Sequence, residues 1–263
     1  MKDYSSMKAA EVRKLIRQQK ITGQTSGMSK GFTQANLVIL KQEHALDFLL
    51  FCQRNPKSCP LLDVTEPGSY RPSRLAEKAD LRSELPSYRI YKDGVLTEEV
   101  KDITDYWEDD MVGFLLGCSF TFEAPLLDNG IPIRHIEENR NVPMYKTDIA
   151  CNQAGIFQGP TVVSMRPMTA QDAIRAIQIT TRFPAVHGAP IHLGDPSLIG
   201  IDDISKPDFG ESVTINEGEI PVFWACGVTP QAVAMESKPS IMITHSPGCM
   251  FISDMKDSEL SVL

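Results

Sequence analysis

The 263-residue sequence lacks the short motifs that most often mark nucleotide and zinc sites. It contains no Gly-x-x-x-x-Gly-Lys-Ser/Thr phosphate loop, no Gly-x-Gly-x-x-Gly fingerprint, no His-Glu-x-x-His pair and no Cys-x-x-Cys pair. Such motifs shape the backbone around a phosphate or set metal ligands at a fixed spacing. The sequence therefore gives no support to a nucleotide-dependent enzyme or a structural zinc site. It predicts no cofactor, while leaving a divalent metal open.

Long apolar runs and clusters of basic residues are also missing. No stretch approaches 18 consecutive apolar residues, and the first 19 residues carry charges in place of the apolar segment of a secretory signal. The net charge is -8, and Lys and Arg do not cluster, so neither nucleic acid nor a membrane is expected as a partner. The sequence predicts a cytoplasmic protein with reduced cysteines that acts on a small acidic molecule.

What is present indicates an α/β fold. An apolar run at 35–40 precedes a segment with helical spacing at 41–55, and a second apolar run follows at 59–65. This order predicts a βαβ unit on a sheet that is covered on both faces. The Lys-Asp-Gly sequence at 92–94 predicts a hairpin, and helical character is predicted for 103–116.

The second half of the chain continues with alternating elements. Thr169 is predicted to begin a helix. Further strands are predicted at 145–151, 161–165, 220–225 and 240–245. The ends of the chain, 1–126 and 200–263, are predicted to form one α/β layer structure, with 127–199 as an inserted smaller unit.

One candidate site is the segment 117–123, Gly-Cys-Ser-Phe-Thr-Phe-Glu, which places a thiol, two hydroxyl groups and a carboxylate near a predicted helix start. A helix N-terminus holds anions and lowers the pKa of a thiol. Cys118, Ser119 and Glu123 are therefore candidates for chemistry. The structural alternative makes Ser119 a helix cap and Cys118 a small buried hydrophobic residue.

Three arginines are candidates for binding a carboxylate. Arg134 and Arg140 lie in the polar stretch 134–143, and Arg166 follows a predicted strand. A guanidinium binds a carboxylate through two parallel hydrogen bonds, which suits an acidic substrate. A solvated loop with local ion pairs is the alternative.

The loop 187–195, His-Gly-Ala-Pro-Ile-His-Leu-Gly-Asp, combines turn-forming residues with titratable side chains. His187 is a candidate acid or base, and Asp195 is a candidate partner that orients it or joins it. A histidine with a purely structural role is the alternative.

Two predicted strand ends complete the candidates. Thr229 lies in the run Cys-Gly-Val-Thr-Pro, and His245 lies in the run Thr-His-Ser-Pro-Gly-Cys. In open α/β sheets, ligands bind beyond the carboxyl ends of the strands. Thr229 and His245 are therefore candidates for substrate binding, with a helix cap as the alternative for Thr229.

These segments resemble the YcsI-like hydro-lyases, which are grouped with the D-glutamate cyclase family. The likeness spans about 31–254, in the runs 34–40, 117–120, 134–138, 140–145, 163–167, 182–192, 194–196 and 223–231. One departure is Cys249, where the family is expected to carry a histidine. The resemblance implies a three-layer α/β domain with an inserted smaller two-layer α+β domain. It also implies a hydro-lyase, whose better-defined member activity closes D-glutamate into 5-oxo-D-proline.

In that reaction the amino group of D-glutamate attacks its own γ-carboxyl and water leaves, so folding the substrate into an attacking shape is the main task. The predicted roles are carboxylate binding by Arg134, Arg140 or Arg166, oxygen binding near Ser119 and Thr229, and proton transfer by His187 with Glu123 or Asp195. A thioester on Cys118 ranks below direct attack, because no base stands beside it in the sequence.

Two other functions stay open at this point. One is a dehydratase for a different hydroxy or amino acid, which needs the same proton-transfer groups. The other is a non-catalytic protein that binds a small acid, which needs the arginines but no histidine poised near neutral pH. A homo-oligomer is expected only because most soluble oligomers are symmetric assemblies of one chain.

Overall fold

The computed structural model describes residues 4–262 and contains two β-sheets flanked by helices. The strands are β1 Phe32–Lys41, β2 Leu61–Val64, β3 Tyr88–Lys92, β4 Val95–Val100, β5 Met111–Gly117, β6 Met144–Ala150, β7 Pro160–Thr169, β8 His192–Leu193, β9 Glu219–Ala225, β10 Met242–His245 and β11 Phe251–Lys256. The α-helices are α1 Ala9–Arg17, α2 Gln42–Arg54, α3 Phe120–Asp128, α4 Arg134–Glu137, α5 Ala170–Thr180 and α6 Thr229–Ser237. The predicted α/β class is confirmed.

Strand β1 lies at the centre of the first sheet. The strand order is β2-β5-β1-β10-β3-β4, and β11 also pairs with β1. Alternate side chains of β1 enter different cores, because successive residues of a strand point to opposite faces. Leu37 and Ile39 pack with residues of α3 and α5, whereas Val38 and Leu40 pack with residues of α2. Helices therefore cover both faces of this sheet, as the sequence predicts.

The predicted βαβ unit is wrong in the pairing of its strands. β1 and β2 run parallel to each other, but β5 lies between them and is antiparallel to both. The segment 103–116 is not helical beyond a short 3₁₀ turn at Thr104–Tyr106. Its apolar end forms β5, which is buried at every position and so fits the middle of a sheet.

Every strand pairing within residues 4–262 is antiparallel. The rule that places ligands beyond the carboxyl ends of parallel strands therefore does not apply to Thr229 and His245. Both residues nevertheless follow or end a strand, as predicted.

The second sheet has the strand order β6-β7-β9-β8. Its longest pairing joins β7 to β9, from Val163 opposite Ala225 to Thr169 opposite Glu219. β9 lies past residue 199, so this sheet uses strands from both predicted units. The division of the chain at 127–199 stays a prediction.

Two local predictions are confirmed by backbone geometry. Thr169 caps α5, since its Oγ1 accepts a hydrogen bond of 3.1 Å from the amide of Asp172. The hairpin between β3 and β4 turns at Asp93 and Gly94, with φ values of +51° and +79°. Positive φ at both central residues matches the right-handed twist of the paired strands.

Candidate functional site

A groove of about 470 Å³ opens between the first sheet and the residues that flank β6 of the second. Its lining residues come from β3, β4, the turn after β10, and the loops at 141 and 208–211. The polar side chains among them are Arg89, Glu99, Asn141, Asp208, Glu211 and Ser246. Two candidate segments from the sequence, 134–143 and the run that contains His245, therefore contribute to this groove.

Strand register sets the first wall of the groove. Arg89 on β3 lies opposite Glu99 on β4, and its Nε donates to Glu99 Oε2 across 3.2 Å. Ser246 Oγ donates to Ser87 Oγ across 3.0 Å, and Ser87 Oγ donates to Glu99 Oε1 across 3.0 Å. Burial raises the pKa of Glu99, but the bonds from Ser87 and Arg89 outweigh it and lower that pKa. The wall thus presents a guanidinium and a hydroxyl chain that ends on an ionised carboxylate.

The opposite wall carries two exposed carboxylates. Asp208 Oδ2 accepts a bond of 2.8 Å from the amide of Lys146, and Glu211 Oε2 accepts one of 3.0 Å from the amide of Asn141. These bonds hold the loop beside the start of β6, and among residues 4–262 the second oxygen of each carboxylate has no hydrogen-bond donor. The side-chain oxygen of Asn141 is buried without a hydrogen-bond partner among residues 4–262.

A small inner cavity of about 10 Å³ shares no lining residue with the groove, but some of its lining residues are sequence neighbours of groove residues in the segments 141–144 and 246–250. Its volume is about that of one water molecule. Its lining includes Asn36, Cys118, Ser119 and Cys226. The segment 117–123 and the strand end at Cys226 therefore line the inner cavity, so four of the five candidate segments contribute to the groove or to this cavity, and 187–195 does not.

The two thiols of the inner cavity are neutral at physiological pH. Burial raises the pKa of Cys118 far above its ordinary value, and it raises the pKa of Cys226 to about 11. A thiolate is the nucleophilic form of cysteine. The arrangement thus gives no support to a thioester on Cys118.

A buried ion pair joins α3 to β7 beside the inner cavity. Arg166 is 1% exposed, and its Nε donates to Glu123 Oε1 across 3.2 Å. Its Nη2 donates to the same oxygen and to Ser119 Oγ, and its Nη1 donates to Ser164 Oγ, with 3.1 Å to each hydroxyl. The guanidinium predicted to bind substrate is thus engaged by the protein itself.

Burial alone raises the pKa of Glu123, but nearby positive charge and hydrogen bonds overcome this effect. His135 and Arg166 lower the pKa of Glu123 to about 2. His135 Nε2 lies 3.2 Å from Glu123 Oε1, yet the ring is out of line for a hydrogen bond, and neither ring nitrogen has a partner within residues 4–262. Removing either Glu123 or Arg166 would leave an uncompensated buried charge, which is strongly destabilising.

The other two buried histidines are uncharged. His187 Nδ1 donates to the carbonyl of Lys57 across 2.6 Å, and His245 Nδ1 accepts from the amide of Leu37 across 3.2 Å. Burial lowers the pKa of each ring to about 4, and the charge of Arg166 acts in the same direction on His187. In both rings Nε2 has no partner within residues 4–262. At neutral pH both are therefore neutral imidazoles.

The two remaining arginine candidates are bound to protein groups. Arg134 Nη2 lies 2.6 Å from Glu219 Oε1, and its Nε lies 3.1 Å from Glu137. Arg140 donates to the carbonyl of Ser212 and lies 3.4 Å from Glu138. Neither lines the groove or the inner cavity.

The side chains of Thr229 and Asp195 form hydrogen bonds with backbone groups. Thr229 Oγ1 donates to the carbonyl of Cys226 across 2.7 Å and accepts from the amide of Val162 across 3.1 Å. Asp195 is exposed and accepts a bond of 3.0 Å from the amide of Ser197, which opens a 3₁₀ turn. None of the described contacts joins Asp195 to His187.

Three further features concern the cysteines, clusters of metal-binding residues and the lengths of the helices. All six cysteines are free and buried. No group of three or more His, Cys, Asp or Glu residues within 4–262 could hold a metal ion. The helices described over the same range include none long and apolar enough to cross a membrane.

No sequence motif marked four groove residues, Arg89, Glu99, Asp208 and Glu211. Arg89 and Glu99 lie on the two strands of the predicted hairpin, so their proximity was within reach of sequence reasoning. Asp208 stands in Pro-Asp-Phe-Gly, a turn-like run whose place beside β6 depends on the fold.

A sequence profile described as D-glutamate cyclase matches residues 112–254, which is more than half of the chain. The chain belongs to the D-glutamate cyclase family. The matched range includes Cys118, Asn141, Asp208 and Ser246, but not Arg89, which the preceding hairpin contributes to the groove of this family member.

Curated relatives of this D-glutamate cyclase family member match it over almost its whole length. A protein of Geobacillus kaustophilus is 66% identical over 98% of each chain, and one of Bacillus licheniformis is 64% identical over 98% of this chain and 99% of its own. YcsI of Bacillus subtilis is 63% identical over 98% of this chain and 100% of its own. Each of the three bears the name "Putative hydro-lyase".

One solved structure, a nitrogen repressor-like protein from Methanococcus jannaschii, aligns over 83% of this chain and 86% of its own. The TM-score is 0.37 and the identity is 10%. This similarity is too low to carry a statement about fold or function.

Proposed function

We propose that this protein is a hydro-lyase that closes D-glutamate into 5-oxo-D-proline, with the groove as its active site. Membership of the D-glutamate cyclase family supports the reaction class. The observation that carries the site assignment is the lining of the groove, where Arg89 shares one pocket with Glu99, Asp208 and Glu211. A free amino acid needs such a mixture, because it presents both carboxylate and ammonium groups.

The reaction joins two ends of one molecule. The amino nitrogen of D-glutamate attacks its γ-carboxyl carbon, one oxygen of that carboxyl leaves as water, and a five-membered lactam forms. The nucleophile and the electrophile are already tethered, so the protein contributes mainly by holding the substrate in a curled shape. It must also take a proton from the ammonium group and deliver protons to the departing oxygen.

Arg89 binds the α-carboxylate in this proposal. Two of its nitrogens are engaged, Nε by Glu99 and Nη1 by Gln231 across 3.4 Å. Within residues 4–262 its Nη2 has no hydrogen bond, so that nitrogen can donate to a ligand. Asp208 on the opposite wall pairs with the ammonium group and takes its proton.

Ser246 connects the groove to Glu99 through Ser87. Each hydroxyl in this chain donates to the next acceptor, so a proton that enters at Ser246 has a path to a carboxylate. The same path works in reverse for delivery to the leaving oxygen. Arg166 and Glu123 support the site from behind, because Arg166 holds Ser119 in the wall of the inner cavity.

Proton NMR of the metal-stripped protein with D-glutamate, and separately with L-glutamate, tests this proposal. We expect the ring signals of 5-oxoproline to grow with the D isomer and not with the L isomer. Equal conversion of both isomers would remove the stereochemical assignment. The assay is repeated with divalent metals if neither isomer gives 5-oxoproline. Continued absence of product would favour a dehydratase if another hydroxy or amino acid turns over, and a protein that binds small acids if none does.

A further inference from the structure

A second cavity, of about 210 Å³, lies between the loop that precedes β1, helix α3 and the residue that follows β11. It is separate from the groove, since the two have no lining residue in common. Most of its wall is apolar, formed by Met28, Phe32, Phe120, Ala124, Leu127 and Ile136. Five side chains with oxygen atoms reach the same cavity, namely Ser5, Ser29, Gln34, Glu123 and Asp257. The amide of Gln34 is engaged by Thr25, and Ser29, Glu123 and Asp257 carry the argument that follows.

Glu123 offers one carboxylate oxygen to this cavity. The contacts with Arg166 and His135 all use Oε1. Within residues 4–262 the second oxygen, Oε2, has no hydrogen bond, although the residue is only 3% exposed. A carboxylate oxygen that no protein group engages, facing a mostly apolar cavity, is complementary to a hydrogen-bond donor.

Ser29 is a second group without a partner. It is 1% exposed, and its Oγ has no hydrogen bond to the described part of the chain. Ser29 lies in the run Gly-Met-Ser-Lys-Gly at 27–31, which has the Gly-x-Ser-x-Gly spacing of a hydrolase nucleophile elbow. Its φ is positive, at +47°. An elbow joins a strand to a helix, whereas strand β1 follows this segment, and the hydroxyl has no base beside it. Ser29 therefore fits a ligand-binding role and not that of a nucleophile.

Asp257 is the third polar group of the cavity. Its Oδ1 accepts from Thr33 Oγ1 across 3.2 Å, and its Oδ2 has no bond to the described residues. Burial raises the pKa of Asp257 to about 7, although the charge of Lys256 opposes this effect. A positive charge placed next to Oδ2 would favour the ionised carboxylate.

The lysines of the surroundings do not supply that charge. Lys30 lines the cavity, but its Nζ lies 2.6 Å from Asp128 Oδ1. The Nζ of Lys256 sits over the ring of Phe32, 3.3 Å from the centroid. The charge of Arg166 is held on Oε1 of Glu123. Among residues 4–262, two carboxylate oxygens and one hydroxyl are thus left without a cation or donor.

We propose that this cavity is a second ligand site, which binds a small primary amine through its ammonium group and packs the apolar body of that amine against the surrounding wall. An ammonium group has three donors, which matches the three free oxygens of Ser29, Glu123 and Asp257. The apolar wall excludes a hydrated inorganic cation, and the two carboxylates exclude an acid. The site does not depend on the reaction assigned to the groove.

Benzylammonium is a suitable probe, because benzyl alcohol and benzoate have nearly the same shape with neutral and negative head groups. We expect titration of the ¹⁵N-labelled full chain to shift the amide signals of Gly31 and Ala124, which line this cavity, and not that of Gly210, which lines the groove. Benzylammonium should bind at least about tenfold more tightly than benzyl alcohol, since hydrogen bonds to charged groups are the strong ones. Benzoate should not bind.

Variants separate the site from nonspecific binding. Asp257→Asn should lower the affinity for benzylammonium by about tenfold and leave the affinity for benzyl alcohol unchanged. Ser29→Ala is a milder second variant and should lower the affinity for benzylammonium by a few fold. Equal affinity for the amine and the alcohol, shifts confined to the groove, or unchanged affinity in both variants would overturn the proposal.

Discussion

Arg166 Nη2 lies 3.1 Å from Ser119 Oγ, and this hydrogen bond connects the buried ion pair with Glu123 to the wall of the inner cavity. Arg166 Nη1 makes an equal bond of 3.1 Å to Ser164, which does not line that cavity. The two serines thus form a matched pair, because they have the same bond to the same guanidinium but differ in their position relative to the proposed active site.

Ser119→Ala and Ser164→Ala should lower the free energy of unfolding by similar amounts, about 1–3 kcal/mol each, because each leaves a buried N–H of Arg166 unpaired. Only Ser119→Ala should also reduce kcat, by roughly tenfold, since only that hydroxyl reaches the inner cavity. Urea unfolding and D-glutamate turnover measure the two effects. Equal losses of kcat in both variants would show that Ser119 acts through stability alone.

Asp208→Asn should lower kcat by about a hundredfold or more, because the amide cannot take the proton of the substrate's ammonium group. The backbone bond from Lys146 to Oδ2 can be kept by the amide oxygen, so the loop should stay in place. Asp202→Asn is the matched control, an exposed aspartate six positions earlier that does not line the groove. Comparable kcat values for the two variants would remove Asp208 from the mechanism.

The protein should lose stability as the pH falls from about 6.5 to 4. His187 and His245 have folded-state pKa values near 4, against an ordinary value of 6.5, so the unfolded chain takes up protons in this interval that the folded chain does not. The loss should reach roughly 2–3 kcal/mol per histidine. His245→Gln should shrink the difference between unfolding free energies at pH 7 and pH 4.5. A variant with the wild-type pH dependence would show that His245 has the same pKa in the folded and the unfolded chain.

Asp257 should make the protein less stable as the pH rises, which is opposite to the effect of the two histidines. Its pKa is raised to about 7 from an ordinary 3.8, so between these values the unfolded carboxyl has lost its proton while the folded one keeps it. Its contribution therefore falls as the pH rises through this window. Relative to Asp257→Asn, the wild-type protein should lose roughly 2–4 kcal/mol between pH 4 and pH 7. Parallel pH profiles for the two proteins would contradict the raised pKa.

Local sequence signals predicted elements better than pairings. The capping of α5 by Thr169 and the turn at Gly94 follow from chemistry within a few residues, and both are as predicted. The segment 103–116 is different, because its apolar residues fit a helix or a buried strand equally well. Its position between β1 and β2 decides the outcome, and that depends on distant parts of the chain.

The candidate site shows the same division. The sequence singled out polar segments that converge on the groove and the inner cavity, but it favoured Arg134, Arg140 and Arg166, which the fold engages with protein oxygens. Arg89 lies opposite Glu99 only because a register irregularity between Ile90 and Tyr91 shifts the hairpin. A simple two-residue hairpin would have paired Arg89 with Glu98, so the observed pair depends on a bulge that the sequence does not mark.

We propose that D-glutamate is cyclised in the groove while Arg89 binds its α-carboxylate. To test this, 5-oxoproline formation from D-glutamate is followed by NMR in the wild-type protein, Arg89→Gln and Arg175→Gln. Arg175 lies on α5, outside the groove, where it contacts Asp172 and donates to the carbonyl of Asn129. We expect conversion by the wild type and by Arg175→Gln, and we expect kcat/KM of Arg89→Gln to be lower by about ten- to a hundredfold. No conversion by the wild type, or equal kcat/KM in all three proteins, would contradict it.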